Sequence, residues 1–100
     1  MNQQENYISL SQFCESCGIE KSFIQTLNDH GLIETVLIEQ QDYIAYDDIG
    51  RLEKFVRFHY EMEINVEGIE AISNLLERIE NLQTEVQDLK RKLDLYKGLV

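Results

Sequence analysis

The last third of the chain carries an unbroken heptad pattern. Ile72, Leu75, Ile79, Leu82, Val86, Leu89, Leu93 and Tyr96 are separated alternately by three and four residues. This is the a/d seam of a coiled coil, sustained over four repeats. A helix from Gly68 to about Lys97 would run ~45 Å at ~1.5 Å per residue. That is too long to be covered by the small domain that precedes it. Ile69 and Leu76 widen the apolar stripe at the start of the helix, and beyond Leu82 it narrows to the seam alone. The free end therefore calls for a second chain or a folded-back neighbour. The expectation is a homodimer through residues 72–96, with a monomer whose long helix folds back on the preceding helix as the alternative. Ile and Val at a with Leu at d suit a parallel pair. In that pair Glu85 would attract Lys90 of the other chain while Lys92 would repel Lys97, so charge alone leaves the direction open.

The preceding residues read as a small domain, which places the domains at 1–64 and 65–100. Ser9 can cap a short helix from Leu10, with Phe13, Cys14 and Cys17 at helical spacing and Gly18 ending it. A second helix from about Glu20 carries the stripe Phe23, Ile24, Leu27, and Gly31 suits its left-handed terminus. Two short helices joined through a glycine turn predict a helix-turn-helix. Val36-Leu37-Ile38 and Tyr43-Ile44-Ala45 then predict a two-stranded wing around the polar connection Glu39-Gln40-Gln41-Asp42. A third helix is expected from Asp47, its N-cap, with Ile49, Leu52, Phe55, Val56, His59 and Met62 on one side and His59 as a partly buried core residue. Asn65 can cap the long helix. The fold class expected is mainly α: a winged helix-turn-helix with a small two-stranded wing and a long C-terminal coiled-coil helix.

Charge is unevenly divided. The 100 residues hold nine Lys and Arg against nineteen Asp and Glu, a net of −10. Residues 1–50 contain nine acids against the single base Lys21, a net of −8, and no arginine precedes Arg51. The helix-turn-helix and wing thus lie in the acidic half, where phosphate recognition would require cations. Direct binding to nucleic acid is not expected. No apolar run is long enough to span a bilayer. Residues 1–6 show no basic, apolar export signal, so a cytoplasmic location is expected.

Cys14-Glu15-Ser16-Cys17 with His30 has the spacing C-x2-C-x12-H, but no second histidine follows at zinc-finger distance. Cys14 reads better as a small core residue and Cys17 as the end of its helix. There is no phosphate-cradling glycine loop, no nucleophile with a positioned base and no complete metal set. Neither an enzyme nor a cofactor is expected.

The frame Phe13-Cys14, Gly18-Ile19, Gly31-Leu32-Ile33-Glu34, Tyr46-Asp47-Asp48 and Arg57-Phe58-His59-Tyr60-Glu61-Met62, followed by Gly68-Ile69, resembles the CbpM-type chaperone modulators, a MerR-like family. The likeness covers most of residues 8–96. It implies binding to the J-domain of a DnaJ/CbpA-like co-chaperone, through a basic helix that otherwise engages Hsp70, and inhibition of Hsp70 stimulation. MerR regulators typically place Pro and Arg after the Gly-Leu-Ile turn and a Tyr-Arg pair in the wing, and they pair antiparallel. This chain has Glu34-Thr35-Val36 and Tyr43-Ile44-Ala45-Tyr46 instead. A MerR-like transcriptional regulator binding DNA as a dimer is the alternative. An acidic face can also serve solubility alone, and the resemblance decides for a partner. The candidate contacts are Glu15, Glu20, Glu34, Asp47 and Asp48, at helix and wing ends, with the last two also placed to stabilise a helix start.

Overall fold

A computed structural model describes residues 6–99 of the chain. Its elements in order are β1 (Tyr7–Ser9), α1 (Leu10–Cys17), α2 (Lys21–Asp29), β2 (Thr35–Ile38), β3 (Gln41–Ala45), α3 (Tyr46–Tyr60) and α4 (Val66–Leu99). They form two compact units, one reaching Glu70 and the other starting at Ala71. The expectation that there is no export signal rests mainly on residues 1–5, outside the described residues.

In the first unit, the Ser9 side chain accepts from the Gln12 N–H at 3.4 Å and starts α1. Gly18 and Gly31 follow the two short helices with φ of +68° and +73°, the left-handed backbone that closes a helix at no steric cost in glycine. The stripes of α1 and α2 turn inward together. Leu10, Phe13, Cys14, Phe23, Ile24 and Leu27 join Leu32, Ile33, Ile44, Leu52, Phe55, Val66 and Ile69 in one core. Cys14 is part of it, and burial pushes its thiol above the usual cysteine range, so it behaves as a small hydrophobe. Cys17 is exposed, and both cysteines are free.

The sheet has a strand more than the two-stranded wing expected from the sequence. β1 pairs antiparallel with β3, giving the order β1-β3-β2 and setting Ile8 opposite Ile44. Ser9 had been legible only as a cap; it both closes β1 and starts α1. The wing loop is also tighter than Glu39–Asp42. Ile38 pairs with Gln41, leaving only Glu39 and Gln40 in the loop, both at positive φ (+50° and +68°) as a type I′ connection requires.

Two further boundaries differ from expectation. α3 begins two residues earlier than an Asp47 cap would place it, so Ala45 rather than Asp47 is its N-cap, and no side chain caps it. The cause is continuity. β3 stays paired with β1 through Ala45, and the backbone passes directly from strand to helix. Asp47 and Asp48 still fall in the first turn, where they favour the positive end of the helix. α3 then stops at Tyr60, so Met62 lies in the following turn, 61 % exposed, and not on the core side of the helix. Asn65 does cap α4, its Oδ1 accepting from the Gly68 N–H at 2.8 Å. His59 is a part-buried core histidine, stacked on Phe23 with ring centroids 4.4 Å apart, and its Nδ1–H donates to the Ile64 carbonyl at 2.9 Å.

The second unit is helical as far as Leu99, and none of its described residues is buried. α4 is 34 residues long, ~51 Å at ~1.5 Å per residue. Leu75, Ile79, Leu82, Val86, Leu89, Leu93 and Tyr96 are all exposed along it.

Candidate partner-binding face

The five acids singled out from sequence fall in two places. Glu34, at the approach to β2, lines an open recess of about 400 Å³ with Asn28, Gly31, Ile33 and Arg51. Arg51 Nη2 donates to Asp48 Oδ1 at 3.4 Å, which brings Asp48 to the same corner. Asp47 is exposed beside it on the first turn of α3. Glu20 belongs to the other end of α2. It occupies the N-cap position, and its carboxylate accepts from Ser22 Oγ at 3.2 Å. Nine helical residues separate it from the Glu34 corner, ~13 Å of helix rise. Glu15 is exposed on α1, where inward-facing Phe13 and Cys14 leave it on the outer side. The acids are therefore spread over a surface and not gathered in one pocket.

Arg51 is a residue that sequence reasoning passed over. Its signal was the i, i+3 spacing from Asp48, which puts opposite charges on one face of a helix. It offsets part of the negative charge around Glu34 and makes that corner less acidic than the sequence count suggests.

The exposed side of α2, the second helix of the helix-turn-helix, consists of Lys21, Ser22, Gln25, Asn28 and Asp29. One base is matched by one acid there, and the wing loop adds Glu39. Such a surface gives phosphate little electrostatic reason to bind. Lys21 instead borders a recess of about 340 Å³ with Leu10, Ser11, Gln40, Gln41 and Asp42.

The C-x2-C-x12-H residues do not converge on a site. Cys14 is in the core, Cys17 is exposed, and His30 Nδ1 lies 3.1 Å from Glu70 Oε2, linking the end of α2 to the second turn of α4. Among the described residues no three His, Cys, Asp or Glu side chains come together as a metal-binding group. No helix among them is long and apolar enough to cross a membrane.

The first unit presents a shallowly indented surface carrying these acids, and α4 carries an exposed apolar seam. The chain is 24% identical over 88 residues to the chaperone modulatory protein CbpM of Pseudomonas entomophila (strain L48), covering 86% of each chain. The proteins of that name from Pseudomonas putida strains F1 and KT2440 match with the same identity and coverage. No solved structure matches. Residues 8–91, the helix-turn-helix, wing, third helix and most of the seam, match the family described as MerR HTH family regulatory protein, and the chain belongs to that family.

Proposed function

We propose that this protein modulates a chaperone system by binding the J-domain of a DnaJ/CbpA-like co-chaperone and inhibiting its stimulation of Hsp70. The observation that carries this reading is the acidic character of a helix-turn-helix surface that a DNA-binding relative would need to be basic. The net of −8 over residues 1–50 complements the basic J-domain helix implied by the family resemblance. The similarity to proteins named chaperone modulatory protein supports it. Glu15, Glu20, Glu34, Asp47 and Asp48 are the proposed electrostatic contacts. The reading calls for no catalytic group and no cofactor.

The protein acts as a homodimer joined through residues 72–96. Seven seam side chains, from Leu75 to Tyr96, would otherwise stay exposed, and burying a large one gains ~1.5–3 kcal/mol.

Isothermal titration with a CbpA-type J-domain is the test. Binding should weaken as salt rises, since exposed charges are screened within ~8 Å at physiological ionic strength. The same concentrations should reduce J-domain-stimulated ATP hydrolysis by Hsp70. Absence of heat together with unchanged ATPase stimulation would reject the reading. Membership of the MerR family favours one other reading, a DNA-binding regulator whose basic surface is assembled in the dimer. A sub-micromolar gel-shift that survives competitor DNA would promote it.

A further inference from the structure

Among the described residues of the first unit, four large apolar side chains are exposed outright: Leu37, Tyr46, Tyr60 and Met62. Leu37 stands alone on the wing. Tyr46 stands alone at the start of α3, near acids that Arg51 partly neutralises. Tyr60 and Met62 differ, because two anchors lie within three residues on one turn.

That turn is held firmly. The Tyr60 ring meets Phe23 and His59 edge-on, with centroids 5.4 and 4.9 Å away. Its hydroxyl accepts from the Glu20 N–H at 3.4 Å, tying the end of α3 to the start of α2. Beyond it, the Glu61 and Met62 N–H groups both donate to the Arg57 carbonyl, and the Ile64 N–H donates to that of Phe58. Glu63 is locked at φ +56°, an uncommon conformation for a residue with a side chain. Tyr60 is nonetheless 44 % exposed and Met62 61 %. A rigid aromatic beside an adaptable thioether, both already ordered, loses little entropy on binding.

The rim is acidic. Glu20, Glu61 and Glu63 are all exposed. Arg57 pairs with Glu61 at 3.6 Å, and no basic partner accompanies Glu20 or Glu63 among the described residues.

We infer that the Tyr60–Met62 turn is the apolar anchor point of the docking face, and that its occupant is a basic helix presenting an apolar side chain between cationic ones. This rests on the function proposed above and supplies the contact which that reading leaves undefined. A second copy of this chain would bring the same acidic rim and be repelled, as would a nucleic acid backbone. A cationic helix is attracted by the rim and fixed by the two anchors.

The test is titration of the J-domain into full-length protein carrying Met62→Ser, Glu63→Lys, Tyr60→Ala or, as a control, Tyr46→Ser. Met62→Ser should weaken binding about tenfold with an unchanged melting curve, and Glu63→Lys should slow association and flatten its salt dependence. Tyr60→Ala also removes packing against Phe23, so the surface changes at 62 and 63 carry the decision. If wild type binds and both of those variants bind within about twofold of it, the anchor assignment is wrong and the proposed function stands. If Tyr46→Ser alone weakens binding, the anchor lies at the start of α3 and this inference also fails. If wild type does not bind, both readings fall together.

Discussion

The two units spend their apolar residues differently. Up to Glu70, the apolar stripes of α1, α2 and α3 close on one another, and Ile24, Leu27, Ile44, Leu52 and Ile69 reach full burial. From Ala71 onward the pattern is more regular, yet Ile79, Leu82, Val86, Leu89 and Leu93 are each about half exposed or more. Regularity is thus no guide to burial within a chain. A domain core needs several stripes meeting at angles, and these can be short and irregular. A strictly periodic stripe along one straight helix has no intramolecular surface of matching length, and its regularity suits it to an identical partner.

The largest effect expected from this contrast is on assembly. Val86→Asp or Leu89→Asp would place a charge in the seam of both copies and remove about 3–6 kcal/mol per dimer, from ~1.5–3 kcal/mol per large side chain. Analytical ultracentrifugation at micromolar concentration should move from dimer to monomer, while thermal unfolding of the winged domain persists. A wild-type mass near 11.8 kDa would refute the dimer.

Leu27→Ala acts on the other side of the comparison. Leu27 is completely buried, and truncating such a leucine costs ~2–5 kcal/mol. Chemical denaturation should register that loss. A loss well below 2 kcal/mol would mean the core is looser than its burial implies. Asn65→Ala tests the start of α4. Removing the 2.8 Å cap to Gly68 should cost about 1 kcal/mol in the same measurement. Smallest is Gln40→Gly in the wing loop, where φ is +68°. Glycine adopts that conformation without steric penalty, so the change should raise stability by up to about 1 kcal/mol.

The long helix, both short helices with their glycine ends, the Ser9 and Asn65 caps, and the core positions of α1 and α2 were legible because each depends on local spacing or a single backbone requirement. β1 was hidden because three residues carry no measurable alternation, and Ser9 had a competing local role. The start of α3 was misplaced for a tertiary reason. Asp47 has the better capping chemistry, but pairing of Ala45 with Tyr7 decides where the strand yields to the helix. At the candidate face, sequence supplied the acidic balance but not its geometry. That Arg51 shields Asp48 and that Tyr60 stands beside Glu20 depend on contacts between elements, the latter spanning forty residues of chain.

The hydrogen bond from His59 to the Ile64 carbonyl has a spectroscopic consequence. A carbonyl can only accept, so the proton is fixed on Nδ1, and a neutral ring keeps its lone pair on Nε2. The ring lies nearly parallel to Phe23, with 18° between the planes, and edge-on to Tyr60. Its carbon-bound protons should therefore resonate far from their free-histidine frequencies under the ring currents of both neighbours. Nitrogen-15 correlation should report a single tautomer. Any ligand that tilts Tyr60 will displace those signals, giving the native chain an isotope-ready sensor of occupancy at the α3–α4 turn without an added label.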